Sequence, residues 1–549
     1  MTTPEAAPRR IPMILTGQAL LSLRDSGFSL PTALAEVIDN SIEARAKTIR
    51  VRLDEATTKG KKHVHRIAVS DDGDGMDVEL LQHYLQVGFS TRYMRTDTIG
   101  KYGVGAKLAA LNFATRVDVW SRQSSDEPWQ LVIFDLNASI EHERKTGESV
   151  GVEPPVAAPI PADLADIAPE GAGTLVVWSQ VDRLESGRVA ADFDGLLVDL
   201  RQELSRLFRV FLDGGFELEV NGTKLLPHDP LFLMKGTWAE KVLRKANAAR
   251  KDGDKLPASA FEPTVLADEK IKVGGSMATL RVTLYPPAVT RKRGLGGDSL
   301  AKQLRVPENE GCISFMRLDR EIAYNNVPRI FGTSVSPPDR FIGIEVAFKP
   351  ELDEYFGVRN VKRGVEPHGE LREKLRARLS VIVKTARGLL EERWGEVARN
   401  DKEHDGEHGP IMGAAAEANK SLPASQGPEI TEEEVEQELE SLAADTGRST
   451  EDEKKEYVER IRDMPFVIES VDFPGKMFID VKHLNNQVII RLNTRHRFYR
   501  ELWQPLQDIA DRDPGAVNGD DAVKAARRAV EGLALMVIAY GKAQSMSVN

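Results

Sequence analysis

Near the N-terminus apolar residues recur at helical spacing, and beyond residue 47 they begin to alternate. Gly17 to Arg24 reads as a short helix. A second helix starts around Pro31, where Ser29 and Thr32 offer capping hydroxyls, carries Leu34, Val37 and Ile38 on its apolar side, and ends near Ala46. Thr48 to Leu53 and His65 to Ser70 alternate as strands, with a polar turn at Lys59 to Lys62. Val78 to Leu85 is helical, Val87 to Arg95 is a polar loop, and a glycine-rich stretch opens into an apolar helix ending near Phe113. Strands follow at Arg116 to Ser121, Trp129 to Asp135 and Gly173 to Ser179, the last two separated by a Pro- and Ala-rich loop, Val152 to Pro169. Strands and helices mix here without strict β-α-β alternation, so the expectation is a two-layer α+β sandwich.

Phe193 to Leu212 is an amphipathic helix leading to a hairpin, Phe216 to Leu226, with Asn221-Gly222 at its turn. Further strands are expected at Ala278 to Leu284, Gly311 to Leu318, Glu321 to Tyr324 and Phe341 to Phe348, before a long helix, Leu371 to Trp394. From Asn400 to about Asp452 the chain turns polar and acidic, part of it reading as disordered linker. Thr431 and Glu434 have capping-box spacing for a helix to Ala444. Strands at Lys476 to Val481 and Gln487 to Leu492 and helices near Phe498 to Ala510 and Ala522 to Tyr540 complete the chain. The expected domains are 1–200, 201–398, an acidic flexible linker at 399–453, and a small α+β domain at 454–549 that serves a partner or dimerisation.

Composition narrows the classes. With 549 residues and 41% apolar content, the chain holds enough material for several cores. A net charge of −11 excludes a uniformly basic nucleic-acid binder, though local patches remain open. One cysteine, Cys312, excludes an intrachain disulfide and a multi-cysteine zinc site. No run of about 18 apolar residues suggests a membrane span. The first ten residues lack the apolar segment of a secretory signal, so the expected location is cytoplasmic.

Three segments carry candidate chemistry. Glu36 and Asn40 lie four apart on the second helix, so a carboxylate and an amide project together and can polarise water and hold a metal ion. Taken alone, the same pair fits a solvated helix face. Asp71-x-Gly73-x-Gly75 ends a strand: the aspartate can accept a hydrogen bond from an exocyclic amine, and the glycines let backbone approach a flat ring. An acidic turn or a calcium-like loop is the competing reading. Gly100-x-x-Gly103-x-Gly105-x-Lys107 opens a helix, where bare amides and a cation attract phosphate. It lacks the adjacent Gly-Lys-Ser/Thr of a Walker loop.

Taken in order, Leu34-Ala-Glu-Val-Ile-Asp-Asn40, Asp72-Gly-Asp-Gly-Met76, Gly88-Phe-Ser-Thr-Arg92, Ile99-Gly-Lys-Tyr-Gly-Val-Gly-Ala-Lys107 and Gly173-Thr174 resemble the motifs of Bergerat-fold ATPases, the GHKL superfamily. That group includes DNA gyrase B, heat-shock chaperone ATPases, sensor histidine kinases, MutL and the MORC proteins; the resemblance is nearest to MORC-type and bacterial MORC-like ATPases. It implies a Bergerat two-layer ATPase domain followed by a transducer-like β-α-β domain. It implies ATP and Mg²⁺ as cofactors, with Glu36 as general base and Asn40 as metal ligand. Asp71 would bind the adenine amine, Gly73, Gly75 and Met76 would line the ring, and Thr174 would support the aspartate. Asp39 would orient its neighbours. Ser90, Thr91 and Arg92 would sense the nucleotide at the start of a lid, and Gly100, Lys101, Tyr102, Gly103, Val104, Gly105, Ala106 and Lys107 would hold the phosphates. Lys362, with Arg359 and Arg363 as rivals, would reach the γ-phosphate from the transducer.

The resemblance implies an ATP-dependent switch or clamp that dimerises through its N-terminal domains and acts on DNA, in compaction, repair or defence. Alternatives are a chaperone-like ATPase acting on protein clients, a sensor histidine kinase, and an interaction protein with a decayed site. The kinase reading lacks a His-bearing helix before the domain, and the intact motif residues oppose decay. Arg291-Lys292-Arg293 with Lys302 and Arg305, and Arg244, Lys245, Arg250 and Lys251, are candidate DNA contacts, or simply solvated faces. His404 and His408 read as part of the disordered linker, and Cys312 as a core residue.

Overall fold

A computed structural model describes residues 16–58, 61–89, 105–184, 192–251, 255–290, 298–357, 365–405, 430–446, 450–462, 464–485, 487–510 and 519–546, together with 408, 412, 415 and 419. Contacts divide the chain into two units, residues 1–288 with 304–384, and residues 289–303 with 385–549.

The first unit opens with α1 (Thr16–Leu23) and α2 (Leu30–Glu43). Ser29 caps α2 by accepting from the Thr32 amide, and Pro31 sits in its first turn, as the capping hydroxyls predict. The hairpin β1 (Thr48–Thr58) and β2 (Lys61–Asp71), then α3 (Val78–Tyr84) and α4 (Gly105–Phe113), lead to β3 (Ala114–Arg122) and β4 (Gln130–Asp135). After α5 (Leu136–Thr146) come β5 (Val156–Ala157) and β6 (Gly173–Val181). The helices α6 (Phe193–Leu207) and α7 (Arg209–Asp213) precede the short hairpin β7 (Glu217–Val220) and β8 (Thr223–Lys224). Asn221 and Gly222 both take positive φ, 46° and 69°, the geometry an Asn-Gly hairpin turn needs.

These strands form one eight-stranded sheet in the order β5-β4-β3-β6-β2-β1-β7-β8, antiparallel except where β1 pairs with β7. In β6 the faces alternate. Val176 and Trp178 join the large core under α1, α2, α4 and α6, while Leu175 and Val177 join a small cluster with Leu164 and Ile167 on the far face. One layer of helices on one sheet makes this an α+β sandwich. The loop expected at Val152 to Pro169 therefore has a packing role, since it carries Leu164 and Ile167 over the far face.

Helix α5 falls between expected elements. Its sequence is mostly polar, so apolar periodicity misses it; its marks are the Asp135 cap and Gly147 at φ 75°. The expected helix Phe193 to Leu212 divides at Phe208 into α6 and α7.

A second sheet in the same unit has the order β12-β11-β13-β10-β9, from β9 (Thr264–Val273), β10 (Ser276–Leu284), β11 (Cys312–Arg317), β12 (Arg320–Asn326) and β13 (Ile342–Phe348). A buried ionic cluster ties it to the first domain's last helices. Arg209 donates to Glu321 and Glu345, each at 2.7 Å, and to Ser314 Oγ, while Arg206 donates to Glu321 at 2.6 Å. Charges this buried persist because each finds an opposite partner. The helix Gly369–Asp405 buries Leu371, Leu375 and Leu379, and runs beyond the expected Trp394.

In the second unit a three-stranded sheet, β14-β16-β15, uses β14 (Phe466–Val471), β15 (Ile479–Leu484) and β16 (Gln487–Asn493). Helices Glu432–Asp445 and Glu451–Ile461 pack Leu439, Leu442 and Tyr457 on Val467 and Ile489. Thr431 and Glu434 form the expected capping box. His408 departs from the linker reading: it is buried, hydrogen-bonded to Ser470 Oγ at 2.9 Å, with Trp503 edge-on to its ring.

Candidate nucleotide site

The apolar side of α2 (Leu34, Val37, Ile38) is sealed into the sheet core, which leaves Glu36 and Asn40 half-buried one turn apart. Glu36 points at the start of α4. A Cβ on Gly105 would stand 1.9 Å from Glu36 Oε2, so glycine alone admits the carboxylate here. The two motifs thus meet: the carboxylate from residue 36 lies against the first turn of the helix that the glycine-rich stretch opens.

Asp71 ends β2 against the C-terminal half of α2. It is 7% exposed, and its carboxylate accepts from Ser41 Oγ at 2.7 Å, from the Gly73 amide at 3.0 Å and from the Thr174 backbone. Loss of water outweighs these bonds and pushes its pKa up to about 6. The neighbouring acids are committed to structure: Asp72 accepts from the Lys47 and Thr48 amides, and Asp74 pairs with Arg45. The calcium-like reading of this loop is therefore disfavoured, and among the described residues no cluster of three metal-ligating side chains occurs.

Close backbone approach explains the glycines. Gly75 takes φ +69°, and a Cβ there would fall 1.9 Å from the Arg122 carbonyl oxygen. The loop is stapled to the sheet by Ser121, whose Oγ accepts from the Met76 amide at 2.9 Å, donates to the Gly173 carbonyl and meets Thr174 Oγ1 at 3.0 Å. Thr174 pairs with Asp71 across β2 and β6.

Asn40 is hydrogen-bonded to the Tyr84 hydroxyl of α3, and burial pushes that phenol's pKa up. Lys107 donates to the Phe89 carbonyl at 2.9 Å, and burial lowers its pKa to about 8. Asp39 reaches the second sheet: its Oδ1 receives Arg320 Nε of β12 at 3.3 Å, both side chains being buried. An apolar cavity of about 440 Å³ borders the site through Tyr84 and Lys107 and is walled by Leu20, Leu111, Phe134 and Trp178; Glu36, Asn40 and Asp71 do not line it.

Of the expected residues, Glu36, Asn40, Asp71, Gly73, Gly75, Met76, Gly105, Ala106, Lys107 and Thr174 are described, from α2, the β2 end, the α4 start and β6. Ser90, Thr91, Arg92, Gly100, Lys101, Tyr102, Gly103, Val104 and Lys362 lie outside the described residues, as do Arg291 to Arg293, Arg359 and Arg363. Arg305, a candidate DNA contact, is bonded to Glu308 at 2.5 Å, and Arg244 to Glu240 at 2.6 Å. Cys312 has its thiol pKa raised by burial, which suits a packed residue. Sequence reasoning missed Ser41, Tyr84, Ser121 and Arg320. Ser41 sits one turn of helix above Val37 and could have been suspected from its place beside Asn40; the others come from distant elements and carry no local signal.

A buried carboxylate with several donors, glycines that expose backbone, and a helix start with a lysine suit an adenine nucleotide. Asn40 suits Mg²⁺, which takes few protein ligands when phosphates supply the rest. Comparisons agree. Residues 28–162 match the family model described as histidine kinase-, DNA gyrase B- and HSP90-like ATPase. Protein MICRORCHIDIA 4 of Arabidopsis thaliana is 34% identical over 91 residues, 16% of this chain and 11% of that protein. Protein MICRORCHIDIA 6 of the same plant is 30% identical over 96 residues, 17% and 14% of the two chains. A type 2 DNA topoisomerase 6 protein of Metallosphaera sedula, the B component of that enzyme, is 27% identical over 124 residues, 21% and 22%. The matched stretches thus span from 11% to 22% of these relatives' lengths. Residues 28–162 thus form an ATPase domain of the GHKL type.

Proposed function

We propose that this chain binds ATP with Mg²⁺, hydrolyses it, and uses the cycle to switch two copies of its first domain between separate and associated states on DNA. The observation that carries the reading is the meeting of Glu36 with Gly105, on the same helix whose Ser41 holds the buried Asp71 carboxylate. This brings the groups proposed as base, phosphate-binding helix start and adenine acceptor together around α2.

In this reading Asp71 accepts from the adenine amine, with Gly75 and Met76 against the ring. The start of α4 and Lys107 face the phosphates. Bound Mg²⁺ would neutralise phosphate charge, held on the protein side by Asn40. Glu36 orients a water and takes its proton as it attacks, a role that needs position more than special acidity. Asp39, bonded to Arg320, sets the rotation of α2 and so the aim of Glu36 and Asn40. Lys362 is proposed to contribute from the second sheet's domain. DNA as the target rests on the likeness to the topoisomerase 6 relative.

The test compares Glu36→Ala with the parent. ATP binding is expected to persist while turnover falls ~100-fold or more; unchanged turnover would refute the assigned base. DNA is expected to raise the parent's turnover. Failure of DNA to bind with or without nucleotide would turn the reading to protein clients.

A further inference from the structure

In the second unit the sheet order β14-β16-β15 leaves β15 with a strand on one side only. Leu484 pairs with Gln487, Lys482 with Ile489 and Asp480 with Arg491 of β16. Antiparallel ladders alternate, so across this tight turn Leu484, Lys482 and Asp480 turn their N–H and C=O groups to β16. The bond from the Asn493 amide to the Phe478 carbonyl, at 2.8 Å, continues the same phase. Ile479, Val481 and His483 therefore turn theirs outward, and no described residue bonds them there. Free edges are commonly blunted by proline, a bulge or an uncompensated charge. Residues 479–484 hold no proline and keep one register throughout. The charges of Asp480 and Lys482 are met by Arg491 and Glu438.

Beside this edge lies a groove of about 540 Å³. One wall is the edge itself, at Lys482 and His483. The other is a flank of the helix Glu432–Asp445, formed by Glu434, Gln437, Glu438 and Ser441 at helical spacing. That helix carries seven acids and no base. Among the described residues, three of the acids have cationic partners: Glu436 with Arg462, Glu438 with Lys482 and Asp445 with Arg491. The helix therefore stays negative. It repels a phosphate backbone, and it repels a second copy of itself set edge to edge. Outward backbone groups suit another strand, and an acidic wall suits cations.

A strand added here would lie about 4.8 Å from β15 and follow it for about 20 Å. Its side chains would alternate between two settings. Those on the side of Lys482 and Leu484 would meet the acidic flank, since Leu484 packs with Leu439 and Leu442 of that helix. The others would lie beside Ile479 and Val481, the latter 46% exposed. We propose that β15 receives an extended peptide of another protein, one in which basic and apolar side chains alternate, as a fourth strand of this sheet. The site stands on the second unit alone and does not rest on the nucleotide reading.

The probe is a dye-labelled hexapeptide alternating lysine and valine, titrated into the full chain by fluorescence anisotropy. Micromolar binding at low salt is expected. A peptide of the same composition, with its lysines and valines in two blocks, should bind ~10-fold more weakly. Val481→Pro removes an outward N–H and leaves the ladder to β16 intact, so its melting profile should match the parent's. Relative to the parent, its dissociation constant should rise ~10-fold or more in both low and high salt. Gln437→Lys with Ser441→Lys alters the flank at two exposed positions that bond no described residue. Its loss should be ~10-fold at low salt and fade at high salt, as charge interactions do. A parent that ignores the alternating peptide at millimolar concentration overturns the proposal. So does equal affinity for the two peptides, or either variant binding like the parent at low salt. Self-association of the parent that Val481→Pro abolishes would give the edge to a second copy and would overturn it as well.

Discussion

Replacing Asp71 by Asn should make the nucleotide-free first domain more stable at pH 8 while removing its grip on adenine. The carboxyl titrates near 6 in the fold, against 3.8 as a free side chain. A rise of about two units means that holding this group ionised costs the fold about 3 kcal/mol. The sign runs against the usual aspartate. Between pH 4 and 6 the folded state keeps the proton and the unfolded state has lost it, so stability is greatest below pH 4 and declines as pH rises through 6. Asn carries no charge and escapes this penalty. It loses part of the bonding from Ser41 Oγ and the Gly73 amide, about 1–2 kcal/mol for an imperfectly matched amide. The net gain at pH 8 is therefore about 1–2 kcal/mol, or ~10-fold in opening equilibrium. Amide hydrogen exchange in β2 and β6 reads this directly, because each pH is compared between parent and variant and intrinsic rates cancel. Protection should rise ~10-fold at pH 8 and be equal or lower at pH 4. ATP should add protection to the parent and none to the variant. Lower protection in the variant at pH 8 would show that burial of this charge is not what sets its pKa.

Gly105→Ala drives a methyl into Glu36 Oε2, so the carboxylate must swing away. Turnover should fall ~100-fold with ATP affinity changed far less, measured by steady-state hydrolysis beside fluorescent-nucleotide titration; loss of both together would place the glycine's importance at the phosphates instead. Lys107, lowered to about 8 by burial, should regain its proton when phosphate arrives. ATP binding at pH 8.5 should then take up a fraction of a proton, seen as a buffer-dependent heat in calorimetry and abolished by Lys107→Met. A binding heat independent of buffer would remove Lys107 from the phosphates.

Much of the first domain was legible because its signals are local. Ser29, Pro31 and the Leu34–Val37–Ile38 stripe specify α2, Asn221-Gly222 specifies a hairpin, and alternation in residues 173–179 specifies a two-faced strand. Helix α5 was missed because a polar surface helix has little apolar period, although its caps were readable. The linker reading at His408 failed for a related reason. A few scattered residues in polar sequence can still be buried if a distant Ser470 and Trp503 receive them.

The sequence by itself determined the inventory of the site. It set a carboxylate and an amide one helical turn apart, an aspartate before two glycines at a strand end, and a lysine behind a glycine-rich helix start. Spacing along one element fixes geometry within that element. Only the tertiary structure decided what these pieces do to one another. It put Glu36 into the space Gly105 leaves, set Tyr84 on Asn40, and locked Asp39 to Arg320 from 281 residues away. It also buried Asp71 deeply enough to shift its proton affinity. Those are long-range effects of sterics and lost solvent, and neither is written in the neighbours of a residue along the chain.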